Sequence, residues 1–263
     1  MQPEVGSFTR VCSYDRAGFA WSDAGPLPRT MAQIVRELHT ALGNAGEKPP
    51  FVLVGAALGG AIVRVYANTY PNEVAGMVLV DAIHEDQFTF VAGKALRLRE
   101  TSEKRHVPES QSEGRGAEEP LVYRNVKASA FLSANPRTKL PAESQRIWMI
   151  ARKQAKYREA ANSEFTYLPE EMDALCRATS SNPHPLGAKP LTVLTADLET
   201  GRAAGGMTVE ALETTRKELQ SRLAKLSTKG QLVVVKNTGH EIELFRPEVV
   251  ISAIRDIVQA TGH

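Results

Sequence analysis

Residues 55–60, Gly55-Ala56-Ala57-Leu58-Gly59-Gly60, follow a continuous apolar run, Phe51-Val52-Leu53-Val54, and precede a stretch with helical periodicity. A strand, a tight glycine-flanked turn and a helix make the elbow that presents a nucleophile above the end of a sheet, written G-x-S-x-G when the nucleophile is serine. Gly55 and Gly59 occupy the two glycine positions. The turn is expected to need both, because close strand–helix packing leaves no room for a Cβ. Ala57 stands at the serine position and carries no nucleophilic atom. The second residue able to do chemistry is His240, in Asn237-Thr238-Gly239-His240, directly after the apolar run Leu232-Val233-Val234-Val235. A histidine held at a strand end can act as a general base.

The elements that must position these residues alternate. Residues 8–14, Phe8-Thr9-Arg10-Val11-Cys12-Ser13-Tyr14, read as a short strand, with Cys12 a buried thiol inside it. Residues 28–43 carry Met31, Ile34, Val35, Leu38 and Leu42 at helical spacing. Phe51–Val54 and Met77-Val78-Leu79-Val80 are continuous apolar runs, typical of parallel strands buried on both faces, with a helix over 61–70 between them. Strand–helix alternation of this kind predicts an α/β fold with a parallel sheet. Residues 85–188 show no buried strand. They hold helical stretches at 142–161 and 169–179 and a charged, Gly/Ser-rich loop near 101–120. The pattern resumes with a strand at 191–195, a helix over 209–226, the strand at 232–235 and a closing helix over 247–259. The organisation predicted is a split core, 1–84 and 189–263, interrupted by a helical cap insertion over 85–188.

A third segment completes the pattern. Ser13-Tyr14-Asp15-Arg16-Ala17-Gly18-Phe19-Ala20-Trp21-Ser22 is similar to the D-R-x-G-x-G-x-S segment that follows a core strand in many α/β-hydrolases, with Ala20 at its second glycine. With the elbow and the histidine loop in the same chain order, nearly the whole sequence resembles the α/β-hydrolase superfamily, in particular serine esterases and lipase-like hydrolases with a helical cap.

The resemblance implies roles. Serine would attack an acyl carbon while His240 takes its proton, and the backbone N–H of Leu58 would hold the oxyanion. The acid that orients the imidazole is expected at a strand end. Asp197 is favoured, with Glu199 on the same loop and Asp81, after the strand Met77–Val80, as alternatives. His84, just past Asp81, is expected to line the cap-side pocket. Ala57 removes the nucleophile, a loss that costs about 10⁶-fold in kcat in a serine protease. Seven residues precede Phe8, and they contain no H-G oxyanion motif. This leads to the expectation of a start inside the ancestral sequence, with missing or abbreviated N-terminal strands, or of a lost oxyanion loop.

The expected protein is ancestrally a serine ester hydrolase, inactive or very weak as written. Two alternatives keep the fold: a non-enzymatic protein that binds a small apolar or ester-like molecule under the cap, and a lyase or oxygenase using His240 as base without a covalent intermediate. A third changes the chemistry. Gly55 to Gly60 also resembles the dinucleotide fingerprint G-x-G-x-x-G, with Asp81 placed to bind a ribose. Its middle glycine, needed for close approach to a pyrophosphate, is again Ala57.

Composition narrows the remaining classes. Basic and acidic residues, 32 and 30, are interspersed and leave a net charge of +2, so no nucleic-acid-binding face is expected. The apolar runs are about 5–10 residues against the roughly 20 a bilayer requires. Met1-Gln2-Pro3-Glu4 has neither a basic nor an apolar leader character, and a cytoplasmic protein is expected. Cys12 and Cys176 are in no metal or redox spacing, and neither cofactor nor metal is expected.

Overall fold

The structure is a computed structural model that describes residues 1–91, 94–104, 136–197 and 206–262. Its centre is a four-stranded sheet in the order β1 (Phe51–Ala56), β2 (Val74–Val80), β5 (Leu191–Ala196), β6 (Gly230–Val235), with every neighbouring pair parallel. The connections are helices: α3 (Leu58–Thr69) between β1 and β2, and α6 (Val209–Ala224) between β5 and β6. α2 (Met31–Asn44) precedes the sheet, and α8 (Pro247–Thr261) closes the chain. The short helices α1 (Gln2–Gly6) and α7 (Ile242–Phe245) complete the core.

The period of two along each strand builds two apolar layers. Leu53, Met77, Leu79, Leu191 and Val193 face one side, where they pack with Ile34 and Val35 of α2, Tyr66 of α3 and Leu223 of α6. Val78, Val80, Leu194 and Ala196 face the other, against Val250, Ile254, Ile257 and Val258 of α8. Because both faces are covered, β2 and β5 read as unbroken apolar runs. Capping fixes where two helices begin. Thr30 Oγ1 accepts the Gln33 N–H at 3.2 Å, and Thr208 Oγ1 accepts the Ala211 N–H at 3.2 Å.

Between β2 and β5 lie a two-stranded antiparallel hairpin, β3 (Phe88–Val91) and β4 (Lys94–Arg97), and two helices, α4 (Ala142–Lys153) and α5 (Ala155–Ser181). Leu168, Met172 and Leu175 of α5 join the same apolar layer as Leu53 and Met77. Further contacts tie α5 to the segment before α2: Arg16 to Glu164, the Arg29 N–H to Ser163 Oγ, and Lys156 Nζ to the Ser22 carbonyl. Among the described residues no helix is long and apolar enough to cross a membrane.

Four sequence expectations are corrected. Residues 8–14 form no strand. They are β-forming by composition, but a strand needs a ladder partner. Here Arg10 instead pairs with Glu47, and Phe8 and Val11 pack on the α8-side layer. Cys12 is accordingly exposed rather than buried. The hairpin β3–β4 was not expected, because its two strands are four residues each and carry no long apolar run. The helix expected at 169–179 begins at Ala155 and runs through Pro169. Burial of Leu168 and Met172 on either side offsets the donor that proline lacks. The loop expected near 101–120 lies mostly outside the described residues.

Candidate functional site

Three strand ends stand side by side. The Ala57 N–H donates to the Val80 carbonyl at 3.1 Å, the Asp81 N–H to Leu194 at 2.8 Å, and the Asp197 N–H to Val235 at 3.1 Å. Each first residue beyond a strand is thus hooked to a residue near the carboxyl end of the neighbouring strand. The residues after β1, β2, β5 and β6 therefore share one rim, at the carboxyl ends of a parallel sheet, where such folds carry their chemistry.

The turn after β1 has the strained geometry of an elbow. Ala57 sits at φ 48°, ψ −119°, a region that residues with a Cβ rarely adopt. The Ala57 carbonyl accepts the Gly60 and Ile83 N–H groups, each at 3.1 Å, which locks the turn against the loop after β2. A Cβ on Gly55 would lie 2.4 Å from the Gly59 carbonyl oxygen, and one on Gly60 would lie 2.3 Å from the Ala82 Cβ. Gly59, by contrast, has nothing within 4 Å of an added Cβ. The expectation that both Gly55 and Gly59 are sterically required is corrected: the close approach is at Gly55 and Gly60. Leu58 opens α3, so its backbone N–H is among the helix N-terminal donors without an intrahelical acceptor.

His240 is paired with Asp81. Nδ1 lies 2.7 Å from Asp81 Oδ2, and since an ionised carboxylate can only accept, Nδ1 carries the hydrogen and donates it. Asp81 is 7% exposed and His240 36%. Burial opposes charge on both. For Asp81, the hydrogen bond and charge of His240, with the charge of Arg216, outweigh burial and hold the carboxyl below its usual range. For His240, burial is outweighed by the bond and charge of Asp81, with Glu241 and Glu243 adding, so its pKa stands above 6.5.

Asp197, the acid favoured from sequence, does not contact the imidazole in these bonds. Its Oδ1 accepts the Thr238 N–H at 3.4 Å, a weak brace on the loop that carries His240. Glu199 lies outside the described residues. His84 is not on a pocket wall. It is 3% exposed, its Nδ1 accepts the Asp86 N–H at 3.0 Å, and burial drives its pKa down to about 4. Beside it, Arg64 and Glu85 form a buried ion pair at 2.8 Å.

Sequence reasoning missed Arg216. It lies in the middle of α6 among other charged residues, with no motif to mark it. Its Nη1 reaches Asp81 Oδ1 at 2.9 Å. An open cavity of about 680 Å³ lies at the opposite end of the strands, lined by Pro50, Ala75, Pro190 and Lys229, away from the dyad. Among the described residues no group of three or more His, Cys, Asp or Glu side chains could hold a metal ion.

Comparison with known proteins finds likenesses at the level of the fold. A family model described as alpha/beta hydrolase fold matches residues 9–101. An "AB hydrolase superfamily protein" of Gibberella zeae is 24% identical over 95% of this chain and 78% of its own. A thermophilic esterase from Thermogutta terrifontis superposes with a TM-score of 0.58 at 20% identity, covering 94% of this chain and 78% of that one. A meta-cleavage product hydrolase from Pseudomonas fluorescens, solved as a serine-to-alanine mutant complexed with acetates, gives 0.60 at 18% identity, covering 98% and 82%. Some curated relatives are far longer: the chain spans 15% of the length of an uncharacterized Schizosaccharomyces pombe protein, to which it is 38% identical over 82 residues.

Proposed function

Because the chain has the α/β-hydrolase fold, we propose that it is a hydrolase-type protein that keeps the turn and the base–acid pair of an ester-cleaving site while lacking its nucleophile. The observation that carries this reading is Ala57. It holds the strained φ 48°, ψ −119° of a nucleophile-bearing turn, at the start of α3, with a methyl group in place of a hydroxyl. The natural activity against esters is then absent or very weak. The base would be His240 and the acid Asp81, and the Leu58 N–H would be one oxyanion donor.

The role of each group follows from its position. With serine at residue 57, His240 would accept its proton, and Asp81 would hold the imidazole in the tautomer whose Nε2 is the base, because Nδ1–H is already donated. Without that hydroxyl, on this reading, the same arrangement is left to bind a small apolar or ester-like molecule. The dinucleotide alternative loses its ribose acid, since both oxygens of Asp81 are engaged by His240, Arg216, Thr195 and Ala196.

The test is turnover of short p-nitrophenyl esters and labelling by a fluorophosphonate. The wild type is expected to do neither. Ala57→Ser is expected to gain both, and His240→Ala in that background to lose them. Wild-type turnover clearly above that of His240→Ala would overturn the reading. A second reading, general-base chemistry by His240 without a covalent intermediate, is favoured by the survival of an intact His–Asp pair beside Ala57. It requires a turnover that His240→Ala abolishes and that is already present with alanine at 57.

A further inference from the structure

Asp81 offers two oxygens, and the structure divides them. Oδ2 takes the His240 Nδ1–H at 2.7 Å. Oδ1 takes Arg216 Nη1 at 2.9 Å, the Thr195 hydroxyl at 3.1 Å and the Ala196 N–H at 3.2 Å. Arg216 Nη1 also meets Thr195 Oγ1 at 2.9 Å, and Nη2 donates to the Ala196 carbonyl. One guanidinium thus joins α6, the end of β5 and Asp81. The planar fork of arginine suits this arrangement, and a lysine could not span it.

The charges around His240 come from several elements. Asp81 follows β2, Glu241 and Glu243 lie on its own loop and α7, and Arg216 reaches in from α6 behind Asp81. Three carboxylates favour the imidazolium. A general base that keeps its proton at neutral pH cannot accept another, so their combined field works against catalysis. A cation on the far oxygen of Asp81 offsets part of that field without breaking the bond to Nδ1.

We infer that Arg216 is a positioning residue for His240: it fixes which oxygen of Asp81 serves the imidazole, and it weakens the negative field that would otherwise hold His240 protonated. This rests on the reading of His240 as the base, but its test does not need turnover.

The full chain, labelled with ¹⁵N-histidine, is titrated by ¹H–¹⁵N NMR between about pH 5 and pH 9. Arg216→Gln is expected to raise the pKa of His240 by about one unit and to broaden the Nδ1–H resonance. Arg216→Lys retains the charge but not the fork. It is expected to leave the pKa within a few tenths of wild type while still broadening that resonance. In an Ala57→Ser background, Arg216→Gln is expected to lower kcat at pH 7 by up to about tenfold with KM unchanged, the most that a one-unit pKa shift produces. A folded Arg216→Gln chain whose His240 titrates as in the wild type overturns the inference. Should that variant fail to fold, an unaltered Nδ1–H resonance in Arg216→Lys overturns it instead. An inactive Ala57→Ser variant would count against the proposed function and leave the titration to judge Arg216 on its own.

Discussion

His240 Nδ1 and Asp81 Oδ2 lie 2.7 Å apart although 159 residues separate them in the chain. They meet because β2 and β6 flank β5, so the loops that leave them at the carboxyl rim reach over the end of the strand between. Asp81 itself adopts φ 40°, a second strained position on the same rim as Ala57.

This pairing separates the two strand-end aspartates experimentally. In an Ala57→Ser background, Asp81→Asn is expected to lower kcat/KM by about 10²–10⁴-fold, because the imidazole loses the carboxylate that sets its tautomer and stabilises its charge. Asp197→Asn, whose side chain meets only the Thr238 N–H at 3.4 Å in the bonds above, is expected to cost less than about tenfold. The acid limb of the pH–rate profile should lie above pH 6.5, where the raised His240 loses its proton, and should move down in Asp81→Asn. Steady-state kinetics across pH checks all three.

The elbow glycines are expected to differ in tolerance. Gly55→Ala places a Cβ 2.4 Å from the Gly59 carbonyl oxygen, a backbone atom that cannot swing away, and should cost about 1–3 kcal/mol or more. Gly59→Ala meets open space inside α3 and should be neutral or gain up to about 1 kcal/mol. Urea unfolding midpoints of the two variants give the comparison, and equal losses would contradict it.

Breaking the buried Arg64–Glu85 ion pair should be severe. Arg64 and Glu85 are 4% and 2% exposed, so Glu85→Ala leaves a buried guanidinium without its carboxylate. The expected cost is about 3–5 kcal/mol. Thermal and urea unfolding of Glu85→Ala against wild type would show it, and a loss below about 1 kcal/mol would mean that Arg64 escapes to water.

Glu171 predicts a pH dependence of stability. Its carboxyl sits at the N-terminus of α2 and accepts the Met31 N–H. Burial, with the charges of Glu164 and Glu170, pushes its pKa up to about 7 against the lowering effect of the Met31 and Ala32 N–H bonds. The folded state therefore holds this proton more tightly than the unfolded chain. The contribution is fully present below pH 4.5 and is lost as pH rises toward 7. Wild type should lose stability relative to Glu171→Gln between those values, measured by urea midpoints at both. A difference that stays constant would show that Glu171 titrates normally.

Much of the architecture was legible because it depends on local periodicity. The unbroken apolar runs at 51–54, 77–80, 191–195 and 232–235 each mark a strand of the parallel sheet; the two central runs are buried throughout, whereas the edge strands expose Val54, Val233 and Val234. Residues 8–14 misled for the same reason: they have strand composition, but pairing is decided by what lies beside the segment, and Arg10 and Phe8 found partners elsewhere.

The sequence by itself determined that Ala57 occupies a glycine-flanked turn between strand and helix, and that His240 follows a core strand. Both are statements about neighbours in the chain. Only the tertiary structure decided which carboxylate His240 meets, since Asp81 and Asp197 end strands of similar pattern and differ in the loops and charges they face. The same holds for Arg216, whose role exists only because α6 lies against the end of β5, and for Gly59, whose open surroundings no spacing rule reveals. Hydrogen bonds and close approaches across a sheet join residues far apart in sequence, and the arrangement of the packed elements sets them rather than the local pattern.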